Sequence, residues 1–328
     1  MTDHLRWGIL GTGWIARQMT ADLAINGSPV TAVGSRTQQK ADAYAAEFGI
    51  ARAHGSYEDL VADPDVDVIY VATPHPSHVA DATLALNAGK HVLLEKPYTI
   101  NAAEARVVAD LARDRGLVVL EAMWTRWLPH MIRLREIIAA GTLGDVRTVI
   151  VDHNQKLSQD PAHRIQDPAL GGGALLDLGI YPVSFAWDVF GAPATITAIS
   201  SPTATGVDRQ TGMLFGYADG RQAVMHTALD TKGPNTAAVI GTEAWVQIDP
   251  IWYTPTTMRV LDPDDNVIEE FDGRGEGRGM QFQAAALERI VAAGALDDDI
   301  LPSSESVAIM QSLDDIRAQI GLVYPSEA

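Results

Sequence analysis

The chain contains no cysteine among its 328 residues. This absence excludes a disulfide scaffold, a thiol nucleophile and a thiolate metal site, and it is compatible with a reducing compartment. Basic residues are also few, with 24 Lys and Arg against 42 Asp and Glu, which gives a net charge of −18. Because nucleic acids and anionic membranes both require a contiguous basic surface, neither is expected as a partner.

Long apolar segments are not evident in the sequence. The first six residues lead directly into a strand pattern without an apolar signal segment, and no run approaches the roughly 20 apolar residues needed to span a bilayer. We therefore expect a cytoplasmic protein. A length of 328 residues corresponds to about two domains of roughly 150 residues each.

A glycine-rich turn follows the first predicted strand, with the pattern G-x-G-x-x-A from Gly11 to Ala16. Gly11 suits a tight turn, Gly13 allows a pyrophosphate to approach the backbone, and Ala16 lets the next helix pack on the strand. The pattern therefore predicts a dinucleotide-binding turn rather than a structural glycine turn. The residues predicted to contact the cofactor here are Gly11, Thr12, Gly13, Trp14 and Ile15.

The end of the second predicted strand indicates which dinucleotide binds. An NAD-preferring site carries an Asp or Glu there for the ribose hydroxyls, but no acid lies between Asp22 and Asp42. Ser35 and Arg36 occupy the position, and Lys40 follows one helical turn later. Because a guanidinium can grip a 2′-phosphate with two hydrogen bonds, we expect NADP, with NAD less favoured. The alternative is that Arg36 is a solvated residue at the start of a helix.

Two more segments lie at the predicted carboxyl edge of this sheet, where open α/β sheets bind ligands. In Thr73–His78 two prolines enforce a loop, and Glu95-Lys96-Pro97 ends an apolar strand. Lys96 is the predicted catalytic lysine, and an ordinary solvated turn is the alternative. The residues of these segments predicted to contact the cofactor are Thr73, Pro74, His78, Glu95 and Lys96.

Alternating strand and helix patterns predict an N-terminal Rossmann domain over residues 1–122, with a doubly wound parallel sheet. After it, a helix interrupted near Pro129 precedes consecutive strand patterns from Val146 to Phe271 with hairpin turn signals, and two helices close the chain. Residues 123–328 are therefore expected to form an α+β domain with a large, mostly antiparallel sheet.

One segment of the second half combines three glycines, a carboxylate and a phenol. Gly171-Gly172-Gly173 allow close backbone approach to a ligand. A helix through Asp177 and Tyr181 would place both side chains on one face, since they are spaced i, i+4. Pro182 leaves open a helix that begins only after Asp177. A buried tyrosine with one structural hydrogen bond is the alternative to a catalytic one.

Together these motifs resemble the glucose-fructose oxidoreductase, inositol dehydrogenase and MocA (GFO/IDH/MocA) family over essentially the whole chain. Glu121–Trp127 and Tyr181 are similar to its dimeric dihydrodiol dehydrogenase and NADP-dependent D-xylose dehydrogenase branch, whereas many relatives have histidine in place of Tyr181. The resemblance implies a Rossmann domain and an open-faced sheet domain for substrate binding and oligomerisation. It also implies NAD(P)-linked oxidation of a hydroxyl or reduction of a carbonyl, with Lys96 in the active site.

The expected reaction moves a hydride between nicotinamide and a carbon of a sugar or vicinal diol, while a nearby group exchanges the hydroxyl proton. A phenol with a pKa of about 10 is a poor base near neutral pH, so an adjacent Lys96 ammonium would favour the phenolate of Tyr181. Asp177 would hold the lysine or bind another hydroxyl, and Trp124 would line the pocket or pack in a core. No metal site is expected. No role is assigned to three residues in or near a loop, His153, His163 and Arg164.

Two alternatives to this dehydrogenase stay open. One is an NADPH-dependent reductase of keto or dicarbonyl sugars, and the other is a non-enzymatic NADP-binding sensor. The combination of Lys96, Asp177 and Tyr181 favours an enzyme over the sensor.

The strand pattern around residues 222–229 predicts self-association. One face of this strand carries Ala223, Met225, Thr227 and Leu229, and the other carries Val224, His226 and Ala228, so neither face is strongly polar. A sheet that helices cover on one face needs polar residues or a partner on the other. We therefore expect a homodimer joined through this sheet.

Overall fold

The computed structural model describes residues 4–327, which form two compact units. The first unit contains the chain up to Trp124 together with Glu276–Val307, and the second contains Thr125–Gly275 and the chain from Ala308 onward. The first break thus falls after residue 124. The segment 276–307, which the sequence analysis assigned to the second half of the chain, packs within the first unit.

Strands and helices alternate along the first unit, as the sequence predicts. Their bounds are β1 (Trp7–Leu10), α1 (Trp14–Asn26), β2 (Val30–Gly34), α2 (Gln38–Phe48), β3 (Arg52–His54), α3 (Tyr57–Val61), β4 (Val68–Val71), α4 (His78–Asn87), β5 (His91–Glu95), α5 (Ala102–Arg115) and β6 (Val119–Ala122).

The strands of the first unit form one parallel sheet in the order β3-β2-β1-β4-β5-β6. All residues of β1 and β4 are buried, because helices cover both faces of a doubly wound sheet. The strand order reverses at β1, which pairs with β2 on one side and β4 on the other. Ligands of open α/β sheets bind outside the carboxyl ends of the strands at such a reversal.

The second unit begins with a helix and a long strand and continues mainly with strands. Pro129 occupies the first position of its first helix, where a missing N–H costs nothing, so the predicted interruption is the start of a helix. The bounds are α6 (Pro129–Ala139), β7 (Val146–Asn154), α7 (Ile180–Phe190), β8 (Thr195–Pro202), β9 (Asp208–Gly216), β10 (Gln222–Ala228), β11 (Ala237–Gly241), β12 (Trp245–Ile248), β13 (Thr257–Leu261) and β14 (Val267–Asp272).

These strands form one sheet in the order β14-β13-β12-β11-β7-β10-β9-β8. All neighbouring pairs are antiparallel except β7 and β10, which are parallel. The structure therefore confirms the predicted α/β class with a second, mostly antiparallel sheet. One face of this sheet is buried, whereas the other exposes apolar side chains. The exposed apolar side chains of β7 to β10 are Ile150, Ile199, Leu214 and Val224.

Two helices follow the second sheet, α8 (Gln281–Ala292) and α9 (Ser303–Ile320). Helix α8 belongs to the first unit because Glu288 binds polar groups from the start of the chain. Its carboxylate accepts hydrogen bonds from Trp7 Nε1 at 2.9 Å and Ser28 Oγ at 2.8 Å, and it lies 2.8 Å from His4 Nδ1. The amphipathic pattern of α8 predicts a helix but does not indicate the sheet on which it packs.

One helical stretch, Pro168–Phe190, is long and apolar enough to cross a membrane by length and composition alone. The expectation that no such run exists was therefore wrong. In the folded structure 89% of the most apolar part of this stretch is buried, which is typical of a core helix.

Candidate functional site

The glycine turn after β1 has the geometry that an anion site requires. Gly11 has a φ of +103°, and a Cβ there would lie 3.0 Å from the carbonyl oxygen of Ala72, so only glycine fits without strain. Gly13 caps α1 in an extended conformation, and no atom lies within 4 Å of the position its Cβ would take. The open space faces a helix N-terminus, which favours negative charge. Ala16 is buried, Thr12 and Ile15 are half-buried, and Trp14 is exposed.

The residues after β2 differ in exposure. Ser35 is buried, and its backbone N–H donates to the carbonyl of His54 at 3.1 Å. Arg36 is exposed and Lys40 is exposed in the first turn of α2, whose N-cap is Thr37. Both cations therefore stand in solvent at the carboxyl edge of the sheet.

Lys96 follows β5 beside a buried carboxylate. Glu95 accepts a hydrogen bond from the hydroxyl of Tyr70 and one from the backbone N–H of Lys96 at 3.2 Å. The side chain of Lys96 is half-buried. The strand end thus fixes the backbone from which the lysine extends.

His78 is the first residue of α4, directly after the loop that follows β4. It is fully buried, and its ring nitrogens lie 2.9 Å from the carbonyl oxygens of Thr73 and Pro97. Burial lowers the pKa of His78. No surface of the His78 ring is exposed, so the predicted cofactor contact of this residue would have to be made by its backbone. His78 ties the loop after β4 to the segment after Lys96, while Thr73 stays half-buried and Pro74 exposed.

The glycine-rich segment of the second unit packs tightly against the protein itself. A Cβ at Gly172 would lie 2.6 Å from the carbonyl oxygen of Ile165, and one at Gly173 would lie 2.2 Å from Oδ1 of Asp208. Asp208 is buried and accepts a hydrogen bond from the backbone N–H of Leu175 at 2.8 Å. The glycines therefore serve internal packing, where the sequence predicted room for a ligand.

A π-helical turn, Leu175–Gly179, leads into α7 and carries Asp177. Such turns are rare and occur often at functional sites. Tyr181 and Pro182 lie in the first turn of α7, where proline is tolerated. The helical path thus runs through both Asp177 and Tyr181, but not as the regular α-helix that the i, i+4 argument assumed.

Tyr181 belongs to an aromatic cluster with His153 and Tyr253. The ring centroid of His153 lies 4.9 Å from that of Tyr181, edge-on at 77°, and 3.8 Å from that of Tyr253, stacked at 28°. Gln155 Nε2 lies 2.8 Å from His153 Nε2. The sequence analysis assigned no role to His153 and missed Tyr253 and Gln155. No local pattern marks Tyr253, which lies in a loop between β12 and β13.

Asp177 has a partner from the loop before it. Arg164 donates from Nη1 at 3.2 Å and Nη2 at 3.3 Å to Oδ1 of Asp177. The carboxylate is largely buried and the guanidinium is half exposed, so the charge of Asp177 is balanced within the second unit. His163 accepts from the N–H of Ile165 at 3.3 Å, which is a structural cap.

In the first unit, Trp124 is buried and contacts a cation from a distant part of the sequence. The guanidinium carbon of Arg278 lies 5.0 Å from the ring centroid of Trp124 and 5.0 Å from that of Trp14. Among residues 4–327 no cluster of three or more His, Asp or Glu side chains is arranged to hold a metal ion.

Family profiles match both halves of the chain. The profile described as "Oxidoreductase family, NAD-binding Rossmann fold" matches residues 5–123, and that of the GFO/IDH/MocA C-terminal domain matches residues 131–247. The chain belongs to the GFO/IDH/MocA oxidoreductase family. This confirms the family that the motifs predicted, and it makes the glycine turn part of an NAD-binding Rossmann fold.

Similar members of the GFO/IDH/MocA family align with this chain over almost its whole length. The trans-1,2-dihydrobenzene-1,2-diol dehydrogenase of Bos taurus is 37% identical over 98% of this chain and 99% of its own. The D-xylose 1-dehydrogenase (NADP(+)) of Hypocrea jecorina is 33% identical over 98% of this chain and 93% of its own.

Solved structures show the same fold. The aldose-aldose oxidoreductase of Caulobacter crescentus has a TM-score of 0.88 at 26% identity, covering 96% of this chain and 97% of the other. A 3-ketoreductase of Actinomadura kijaniata, in a complex with NADP, has a TM-score of 0.86 at 25% identity, covering 97% and 98%.

Proposed function

We propose that this oxidoreductase transfers a hydride between NADP and a hydroxyl-bearing carbon of a sugar or vicinal diol. The observation that carries the proposal is the similarity along 98% of the chain to dehydrogenases named for these two substrate classes, a trans-dihydrodiol and an aldose. The first unit binds the cofactor and the second binds the substrate.

The preference for NADP rests on the end of β2. Arg36 and Lys40 are both exposed there, and no acid lies between Asp22 and Asp42 to accept the ribose hydroxyls. A 2′-phosphate is a dianion that a planar guanidinium binds with two hydrogen bonds. A relative named for NADP and a neighbour solved with NADP agree with this assignment.

Proton transfer is the role we assign to Lys96 and Tyr181. Tyr181 is largely buried, with its ring packed against His153 and Tyr253. A positive charge favours phenolate over phenol, and supplying that charge in the reaction is the role we assign to Lys96. Asp177, balanced by Arg164, accepts a hydrogen bond from another hydroxyl of the substrate.

Reduction of a keto sugar by NADPH is the second candidate, because the 3-ketoreductase neighbour shares the fold at 25% identity. It uses the same groups in the reverse direction.

We further propose a homodimer joined through the exposed face of the second sheet. Its apolar side chains Ile150, Val224 and Leu214 lie opposite one another on adjacent strands, and an apolar patch of this kind is typical of an interface.

The test is to follow reduced-nicotinamide absorbance with NADP⁺ or NAD⁺ and a panel of aldoses and trans-diols, and with NADPH and keto sugars. We expect turnover with NADP⁺ on at least one aldose or diol. Turnover only with NADPH and a keto sugar would favour the second candidate. NADP binding without turnover on the whole panel would contradict both and leave a sensor.

A further inference from the structure

Arg278 contacts two indole rings of the first unit. Its guanidinium carbon is 5.0 Å from the ring centroid of Trp14 and 5.0 Å from that of Trp124. Both distances lie within the range of a cation–π interaction. Two such contacts restrict the guanidinium, while its N–H groups, which lie in its own plane, stay available for hydrogen bonds.

The backbone of Arg278 is attached to the helix that begins at the glycine turn. The buried carboxylate of Asp22, on α1, accepts the N–H of Arg278 at 3.0 Å and that of Met280 at 2.8 Å. Gly277 has a φ of +77°, and a Cβ there would lie 2.8 Å from Oδ1 of Asp22. These hydrogen bonds hold the backbone around residue 278 in position without any contribution from the Arg278 side chain.

The guanidinium of Arg278 lacks an anionic partner among residues 4–327. Its Nε is buried and makes no hydrogen bond within that part of the chain. A buried N–H without an acceptor is costly, so such a group calls for an explanation. Trp14, whose ring contacts the guanidinium, is 60% exposed, so a ligand can reach this place from solvent.

Trp14 is the first residue of α1, directly after Gly13. The cation therefore stands beside the helix N-terminus that the glycine turn leaves open. A helix N-terminus and a guanidinium both favour phosphate oxygens. We infer that Arg278 donates hydrogen bonds to the diphosphate of the bound dinucleotide and so completes the anion site of the glycine turn.

This inference rests on the proposed function, because it requires a dinucleotide. It differs from the assignment of Arg36 in the ligand group it concerns. NAD and NADP share the diphosphate, whereas only NADP carries the 2′-phosphate. The two arginines can therefore be told apart by their effects on the two cofactors.

The test compares Arg278→Met with Arg36→Met by calorimetric titration of NADP⁺, NAD⁺ and 2′-AMP, which lacks a diphosphate. Methionine keeps an apolar stem beside the indoles but removes the charge and the donors. We expect Arg278→Met to weaken NADP⁺ and NAD⁺ by the same factor, roughly 10-fold to 100-fold, and to leave 2′-AMP unchanged. Arg36→Met should weaken NADP⁺ and 2′-AMP but not NAD⁺.

Wild-type affinity of Arg278→Met for both dinucleotides would overturn the inference while the proposed function stands. An equal loss for 2′-AMP would also overturn it, because the change would then not concern the diphosphate. If the wild type bound neither dinucleotide, the proposed function and the inference would fall together. Should Arg278→Met fail to fold, Arg278→Gln serves the same comparison.

Discussion

The ring of His153 stacks on the ring of Tyr253, with centroids 3.8 Å apart and planes at 28°. The same imidazole meets Tyr181 edge-on at 4.9 Å. The position of the Tyr181 ring is therefore set by aromatic packing in addition to any hydrogen bond of its hydroxyl. A phenylalanine in its place should keep the cluster, so that the loss reports on the hydroxyl.

Tyr181→Phe should lower kcat by about 10²-fold to 10⁴-fold, the usual range for losing a general acid or base, with cofactor affinity nearly unchanged. Steady-state kinetics and NADP⁺ titration measure both. Tyr217→Phe is the matched control, since that ring packs on Phe190 and should keep normal kcat. Near-normal kcat in Tyr181→Phe would mean that its hydroxyl is structural.

Lys96→Ala should also lower kcat, and the double variant Lys96→Ala/Tyr181→Phe should lose much less than the product of the two single losses. Groups that act on one proton are strongly non-additive, because removing either already disables the step. A double-mutant cycle on kcat/KM measures the coupling. Strictly multiplicative losses would show that the two residues act separately.

Arg36→Asp should reverse cofactor preference. The substitution removes the partner of the 2′-phosphate, which costs NADP roughly 1.5 to 3 kcal/mol, and it places a carboxylate where NAD sites carry one. The ratio of kcat/KM for NADP⁺ and NAD⁺ gives the result, and NAD⁺ serves as the internal control. A wild-type enzyme that uses NAD⁺ better would contradict the assignment.

Asp208 should make the stability of the second unit depend on pH. Burial raises the pKa of Asp208 to about 7, from 3.8. Between these values the folded state retains a proton that the unfolded state loses, so the free energy of unfolding falls as pH rises. Asp208→Asn cannot ionise, and its stability relative to wild type should therefore rise up to about pH 7 and then level off.

Urea denaturation at several pH values within this interval measures the difference for Asp208→Asn. Asp264→Asn changes an exposed carboxyl and should show no such trend. A constant difference between Asp208→Asn and wild type would mean that Asp208 ionises in the folded protein as it does in the unfolded chain.

Charge on the open sheet face should separate the proposed dimer. We expect light scattering to give twice the 35.2 kDa mass of the chain for wild type and the single-chain mass for Leu214→Asp/Val224→Asp, because an interface core does not tolerate unpaired carboxylates. Val323→Asp alters an exposed residue outside the sheet and should leave the mass unchanged. A monomeric wild type would refute the dimer.

The parts of the site that the sequence predicts are those whose chemistry is local. The turn at Gly11 and Gly13 needs a strand, two glycines and a helix in succession, and all of them lie within one short stretch. The exposure of Arg36 likewise follows from its position between β2 and α2. In both cases the backbone path alone determines where the side chain stands.

The residues that the sequence did not reveal are brought to the site only by tertiary packing. Tyr253 reaches His153 from a loop 100 positions further along the chain, and Arg278 reaches Trp14 from a segment that returns to the first unit. The hydrogen bonds of His78 also depend on tertiary packing. The sequence places this residue in a ligand-binding loop, but only the packed structure shows that Thr73 and Pro97 occupy both of its ring nitrogens.

The return of α8 to the first unit has a consequence for biosynthesis. The parallel sheet is complete in sequence at Ala122, yet Trp7, Ser28 and the buried Asp22 each make hydrogen bonds to residues between Arg278 and Glu288. At 5 to 20 residues per second, a ribosome needs roughly 10 to 30 s for the intervening stretch. During that time the nascent sheet lacks its final helix, so a chaperone has a defined interval in which to engage it. A chain released before residue 288 leaves these polar groups without the partners that residues 278–288 supply.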